Sequence, residues 1–324
     1  MGYSKFDEAV SKIKDEILSF QAGEKLPTVR ELSKRLKVSK ATVEKAMLFL
    51  ELKGYLKKVP RHGSIRTEFK EALIIFPSPP IDELPLRVAR GFSEEAGFPL
   101  PILFLPEVSE KILAETDIIF MFFPSVKHKD FPIAKSILNS FKKKVVLVDK
   151  VVQEELPHVI FDDEEAGYKL ARALFQRGCR KIAFLYYEDQ AYTVIKRLAG
   201  MARAAEEFSG IEISRHENLI DPQEAKEKDV LVASTDMQAL RNLIFLLWKG
   251  VRIPQETKIV SFGIYVQNRE VLPMSIAGIA QPLEEMGKAL AKIVKGEINI
   301  FKQKRFVVPF GIFQPGDTFP DLLR

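Results

Sequence analysis

Residues 26–50 read LPTVRELSKRLKVSKATVEKAMLFL, and two short helices can be read in them. Pro27 cannot sit in a helix interior but is tolerated just before or at a helix start. Thr28 is placed to cap the segment VRELSKRL, and Glu31, three residues on, completes a capping-box pattern. Val29, Leu32 and Leu36 are its apolar positions. Ser39 is the N-cap candidate of the second helix, where Val43, Ala46, Met47 and Leu50 mark a buried stripe at helical spacing. Ser39, Lys40, Thr42 and Lys45 are left near the exposed N-terminal end. Small polar and basic groups at the start of a second helix suit a major groove, and a helix N-terminus favours phosphate.

Upstream, Phe6, Val10, Ile13, Ile17 and Leu18 recur at three- and four-residue spacing and predict a helix with one apolar face, in a region closed by Gly23. Downstream, after Gly54, YLKKV, a turn at PRHG and SIRTE predict a β-hairpin with a basic tip. Charge supports a nucleic-acid role for this stretch. Residues 1–68 hold 15 Lys/Arg against 9 Asp/Glu, a net of +6, while the rest holds 34 against 35, a net of −1. A basic head on a neutral body is the electrostatic footprint of a separate nucleic-acid-binding module.

The segments LPTVREL, VSKATVEKAM, LELKGYL and RHGS, in that order and spacing, resemble the winged helix-turn-helix of the GntR family of bacterial regulators over residues 5–67. The resemblance implies that Arg30 contacts backbone or base at the start of the second helix. It places Ser39, Lys40 and Thr42 where the family touches DNA, and His62 and Gly63 at the wing tip that enters the minor groove. At Glu44 the family usually has an arginine that contacts DNA. Lys45 can partly replace it, and Glu44 either faces away or accepts from a cytosine amine.

From residue 72 the pattern changes. ALIIF, LPILFL, DIIFMFF, KVVLVD and HVIFDD are apolar runs of strand length, with helical stretches such as PIAKSILNSF between them. The alternation restarts at RKIAFLYYE and continues through KDVLVAS and KIVSFG. Strands buried on both faces and alternating with helices predict doubly wound parallel sheets, here two α/β lobes with a cleft between them. Ligands in such sheets bind at the carboxyl ends of the strands. No Gly-rich nucleotide loop follows any strand, His62, His128, His158 and His216 lack metal spacing, and no nucleophile–base pair is suggested. No catalytic residue, metal or cofactor is expected. The acidic run Asp162, Asp163, Glu164 and Glu165 could hold a cation, or cap a helix starting near Glu164, since acids favour the first turn.

The body resembles the LacI/GalR type of sensor domain, related to periplasmic sugar-binding proteins. VIFDDEEAGYKLARALFQRGCRKIAFL, IKRLAGMARA, VLVASTDMQALRNLIFLLWKGVRIPQETKIVSFG and IAGIAQPLEEMGKALAKIV carry the match, which spans residues 72–313. The resemblance implies that Arg197 is the guanidinium that clamps the effector, and its fork suits paired hydroxyls or a carboxylate. It sets Thr235 and Asp236 at a strand end facing the cleft, where Asp236 can also be an N-cap. The first lobe would contribute the turn near Phe76 and Ser78. Two positions depart from the pattern: Gly263 stands where the family has an aspartate that grips a sugar hydroxyl, and Asp163 stands where it has an asparagine. Phe76, Phe262 and Tyr265 could stack on a sugar ring or belong to the core.

A GntR-type head on a LacI-type body is the arrangement of the AraR-like arabinose-responsive repressors. The expected fold is therefore α/β with an N-terminal winged helix-turn-helix: residues 1–68 form the DNA-binding domain, and 72–324 a two-lobed effector-binding and dimerisation domain. The expected function is a repressor, not an enzyme, that binds operator duplex DNA as a homodimer under control of a small-molecule effector, with a carbohydrate as the first choice. The alternatives are a sensor for a nucleoside, amino acid or protein partner, and, further off, a DNA-binding domain fused to an α/β enzyme. The single cysteine, Cys179, and the lack of an apolar run of membrane length point to a cytoplasmic protein with no membrane partner.

Overall fold

The computed structural model describes residues 5–21, 23–67, 71–78, 83–187, 192–263, 274–311 and 313–320. The N-terminal unit contains helices α1 (Lys5–Leu18), α2 (Val29–Leu36) and α3 (Lys40–Leu52), then the antiparallel hairpin β1 (Leu56–Val59) and β2 (Gly63–Arg66). Thr28 and Glu31 form the full capping box at the start of α2, and the Ser39 side chain accepts from the Thr42 N–H at the start of α3. Ile13, Ile17, Leu32, Val43, Ala46, Met47, Leu50, Tyr55 and Leu56 close a single core under these elements. Leu18, expected on the apolar face of α1, is 39% exposed. It is one residue past Ile17, a turn of about 100° around a 3.6-residue helix, and the buried face is completed by Ala9 instead.

The body holds two six-stranded sheets. The first lobe is built from β3 (Ala72–Phe76), α4 (Leu84–Ala96), β4 (Ile102–Phe104), α5 (Glu110–Glu115), β5 (Ile118–Phe122), α6 (Phe131–Phe141), β6 (Val145–Val148) and β7 (His158–Phe161). The chain then crosses to the second lobe: α7 (Asp163–Gln176), β8 (Lys181–Tyr186), α8 (Tyr192–Ala205), β9 (Glu212–Glu217), α9 (Pro222–Lys226), β10 (Val230–Ala233), α10 (Asp236–Trp248), β11 (Lys258–Phe262) and β12 (Ala277–Ile279). It returns through α11 (Leu283–Val294), α12 (Ile300–Gln303) and β13 (Arg305–Val308), which joins the first sheet beside β7, and ends with β14 (Phe313–Gln314) in the second.

The first sheet has order β13-β7-β6-β5-β3-β4, all parallel, and the second β14-β12-β11-β10-β8-β9, parallel except for the antiparallel edge strand β14. Both put the first strand of the lobe inside, so the winding direction reverses between β3 and β5 and again between β8 and β10. Those reversals are where an open α/β sheet leaves a crevice at its strand ends. Helices cover both faces of each sheet, and four apolar clusters result, two per lobe.

Each lobe is clamped to its crossover helix by a reciprocal glycine contact. A Cβ on Gly91 of α4 would collide with the Glu284 carbonyl of α11, and one on Gly287 of α11 with the Val88 carbonyl of α4. In the second lobe Gly167 of α7 lies against the Arg197 carbonyl of α8, and Gly200 of α8 against the Glu164 carbonyl of α7. Helices that approach this closely hold their side chains in one register, and the second contact fixes the backbone that carries Arg197.

Candidate DNA interface and effector cleft

In the N-terminal unit, Arg30, Ser39, Lys40, Lys45, His62 and Gly63 are exposed, and Thr42 is half-buried. Ser39 Oγ lies 2.8 Å from Thr42 Oγ1, so the two hydroxyls already form a bonded pair at the start of α3. The core stripe of Val43, Ala46, Met47 and Leu50 leaves Glu44 exposed beside Lys45, turned away from the core. The hairpin turn has positive φ at Arg61 (64°) and Gly63 (88°), and the exposed His62 has its Nδ1 3.3 Å from the Pro60 carbonyl oxygen.

This unit meets the first lobe at Glu71. The Tyr55 hydroxyl donates to the Glu71 carboxylate, and Lys14 Nζ donates to the same Oε1 at 2.5 Å while lying 5.1 Å from the centroid of the Tyr55 ring. On its other side Glu71 is part of the sheet: its N–H donates to Asp117 Oδ2 at 2.9 Å, and its carbonyl accepts from the N–H groups of Asp117 and Ile118. Burial, then the bond to Glu71, pushes the Tyr55 hydroxyl far above its ordinary range, so it remains a proton donor here. Recesses of about 670 and 630 Å³, each lined by residues of both units, flank this junction.

In the body, Arg197 is 2% exposed. Its Nε and Nη2 both lie 2.7 Å from Asp163 Oδ1, its Nη1 donates to the Ser234 carbonyl, and its Cζ sits 4.7 Å from the Phe262 ring centroid and 5.5 Å from that of Phe310. Ser234 follows β10 and Phe262 ends β11, so the guanidinium lies at the carboxyl ends of the second sheet. Phe310 packs on both Phe161 and Phe262, and it belongs to a chain segment running between the lobes. Arg197 thus sits where the lobes join.

Asp163 begins α7, with Asp162 as the helix cap. The other members of the acidic run are paired outward: Glu164 with Lys196 at 3.2 Å and Glu165 with Arg203 at 2.6 Å. Asp163 Oδ2 is buried and has no hydrogen-bond partner. Burial drives the Asp163 carboxyl up to about 7 against the pull of Arg197, and the charge of Asp149 raises it further. Asp149 follows β6 with φ 76° and is partly exposed. Burial by the surrounding protein raises its pKa, with Arg197 and then Lys150 opposing.

The remaining sequence candidates have these places. The Phe76 ring is in the first-lobe core, stacked on Phe122 with centroids 4.5 Å apart. Ser78 gives both its N–H and its hydroxyl to Asp130 Oδ2, at 2.6 and 2.5 Å. Thr235, not Asp236, is the N-cap of α10: its side chain accepts from the Gln238 N–H, while Asp236 Oδ1 accepts from the adjacent Met237 N–H. The residue in β geometry before the first turn takes the cap, and Asp236 is already helical. Gly263 has φ 81°, a conformation that an aspartate would hold only under strain. Tyr265 lies outside the described residues.

Sequence reading missed Asp130, Asp149 and the pairing of Asp163. Asp149 carried a usable signal, since KVVLVD ends a predicted strand on an acid. Nothing local links Asp163 to Arg197.

Two stretches of the chain match known families. Residues 5–65 match the model for bacterial regulatory proteins of the gntR family, and residues 171–312 that for a periplasmic binding protein-like domain. The chain is 24% identical to an arabinose metabolism transcriptional repressor from Geobacillus stearothermophilus, over 87% of this chain and 89% of that protein. Among solved structures, a LacI family transcriptional regulator from Enterococcus faecium with bound ribose superposes with a TM-score of 0.58 at 19% identity, covering 77% of this chain and 98% of its own. The complex of the regulator CelR with cellobiose gives 0.59 at 16%, covering 90% and 100%. CcpA of Lactococcus lactis gives 0.59 at 18%, covering 77% and 100%. Among the described residues no helix is long and apolar enough to cross a membrane.

Proposed function

We propose that this chain is a cytoplasmic repressor, a transcription regulator and not an enzyme, in which a GntR-type DNA-binding head is joined to a LacI-like, periplasmic-binding-protein-like sensor and operator affinity is set by a small sugar. The observation that supports this most is the place of Arg197, buried at the strand ends of the second sheet where the lobes join. Lobes of this kind close around a ligand by hinge motion.

The head, residues 1–68, binds operator duplex through Arg30, Ser39, Lys40, Thr42 and Lys45 in the major groove, with His62 and Gly63 at the minor groove. The sensor, residues 72–324, takes the sugar between Arg197, Thr235 and Asp236 on one side and the turn opened by Phe76 and Ser78 on the other. The protein acts as a homodimer, for which α10 offers Met237, Arg241, Ile244 and Trp248. They recur at helical spacing, and Met237, Ile244 and Trp248 are exposed, Trp248 to 74%.

The test is a thermal-shift screen of the full chain against neutral sugars, nucleosides and amino acids, followed by operator titration with each binder. A ligand at about 100 times its Kd adds about 2.7 kcal/mol of stability. A sugar that both stabilises the chain and changes operator affinity is the expected result. Stabilisation only by nucleosides or amino acids would overturn the sugar, and a ligand that binds without changing operator affinity would overturn the control.

A further inference from the structure

Among the described residues, the joint between the lobes holds two carboxylates beside one buried guanidinium. Arg197 is its buried cation; Asp163 Oδ1 accepts from its Nε–H and lies 2.7 Å from its Nη2. The Ser234 carbonyl accepts from Nη1, and Phe262 and Phe310 lie against the guanidinium. Asp163 and Asp149 both feel that guanidinium, Asp149 with Lys150 acting on it as well, and Asp163 Oδ2 is buried without a donor.

Among the described residues, the other surrounding charges relieve this only in part. On α8, Lys196 is paired with Glu164 and Arg203 with Glu165. Arg305 of β13 is bonded to the Tyr192 hydroxyl at 3.3 Å. On α7, Asp162 caps the helix and adds to the negative field at Asp163. Lys150 moderates Asp149, and Asp236 on α10 turns its Oδ1 back to the Met237 N–H. An ionised carboxylate in such a place costs free energy unless a donor reaches it.

We infer that the cleft selects a neutral, hydroxyl-rich ligand that donates to Asp163 Oδ2, that binding releases the proton Asp163 otherwise holds, and that phosphorylated or carboxylated ligands are rejected. The inference rests on the effector reading above and sharpens it to a charge class. A ligand hydroxyl supplies the missing donor and favours the ionised carboxylate, so the proton passes to solvent. An anionic ligand brings a further negative charge to a site whose buried guanidinium is already engaged. Asparagine at this position would carry neither the charge nor the proton. Burial with Arg197 opposing holds the Asp163 carboxyl up at about 7, so the release falls in the neutral range. Affinity for the neutral ligand then rises with pH up to that range and levels off above it. Its limiting slope below is about tenfold per pH unit for one proton.

The experiment is isothermal titration of the full-length protein with ribose, arabinose and cellobiose. Each is paired with its anionic counterpart (ribose 5-phosphate, arabinonate and cellobionate), and each is run near neutral pH in two buffers of different ionisation enthalpy. The expected result is a neutral sugar that binds at least about tenfold more tightly than its anion, with heats that differ between the buffers in proportion to the difference in their ionisation enthalpies and in the sense of a released proton. Asp163→Asn should bind the same sugar with buffer-independent heat and a narrowed gap to the anion. A neutral sugar bound with identical heats in both buffers, or an anion bound as tightly, overturns the inference and leaves the sugar reading standing. If no carbohydrate binds while a nucleoside or amino acid does, the sugar reading falls. Buffer-independent binding of that ligand then overturns the proton release as well. Because the two-buffer comparison uses the unaltered chain, a poorly folded variant cannot decide the outcome.

Discussion

Replacing Glu71 with alanine should disconnect the DNA-binding head from the sensor while leaving each intact. Glu71 belongs to neither core, yet its carboxylate receives both the Tyr55 hydroxyl and Lys14 Nζ, and its backbone is held by Asp117. The Lys14–Glu71 pair is 30% and 37% exposed on its two sides, so it contributes only about 0.2–1 kcal/mol. The Tyr55 bond is worth more, because Tyr55 is 6% exposed and its acceptor is charged, which places it at about 1.5–3 kcal/mol. Together the variant loses about 2–4 kcal/mol of docking energy. Coupling between ligand and partner in two-state regulators is about 1–3 kcal/mol, about 5–150-fold in affinity, so the loss is as large as the signal it transmits. The assay is fluorescence anisotropy of a labelled operator duplex, with and without saturating sugar, read as the ratio of the two affinities. In Glu71→Ala that ratio should fall towards one, with operator affinity in the absence of sugar and sugar affinity in the absence of DNA both retained. Glu71→Gln keeps an acceptor for Tyr55 and should lie between. A wild-type ratio in Glu71→Ala would refute transmission through the Glu71 contact.

Gly167→Ala should push α8 off α7 and move Arg197, costing about 1–3 kcal/mol by overpacking and abolishing the sugar response with operator binding kept; an unchanged response would show that the close approach does not position Arg197. Arg197→Ala leaves a buried carboxylate unpaired and should lower the denaturation free energy by about 3–5 kcal/mol, whereas Arg197→Met with Asp163→Leu should recover most of it, and equal losses in the two would contradict the ion-pair account. Lys40→Ala and Thr42→Ala should each weaken operator binding, and affinity should fall steeply between about 50 and 200 mM salt; insensitivity to salt or to both substitutions would show that α3 is not the recognition helix. For stability against pH, the folded Asp163 carboxyl at about 7 lies above its unfolded value of 3.8, so the folded state binds the extra proton between those values and wild-type stability falls as pH rises through them. Asp163→Asn should therefore gain on wild type from about pH 4 to pH 7 and then hold a constant difference, a trend that urea melts across that range would confirm or contradict.

Much of the architecture was legible in the chain. The capping box at Thr28 and Glu31 and the cap at Ser39 were readable because capping is an interaction over three residues, within one helical turn. The eight apolar runs of the body were readable because strands buried on both faces carry no alternation to blur them. The edge strand β14 and the short β12 were harder, being two and three residues long. The site was read less completely than the fold. Arg197 was picked out through family resemblance, but its partner Asp163 is 34 residues away on another helix. Thr235 rather than Asp236 took the cap because backbone geometry, which composition does not reveal, decides which of two adjacent polar residues lies outside the helix.

By itself, then, the sequence determined those features that depend on neighbours in the chain: helix starts, buried stripes, strand lengths, the basic head and the order of units. Only the tertiary structure decided that Gly167 and Gly200 meet across α7 and α8, that Glu71 receives Lys14 from 57 residues away, and that Asp163 is left with one oxygen unbonded beside Arg197. The physical reason is range. Periodicity and capping act over one or two turns, whereas the charge state of a buried group depends on whatever the fold brings around it and on how much water the fold takes away.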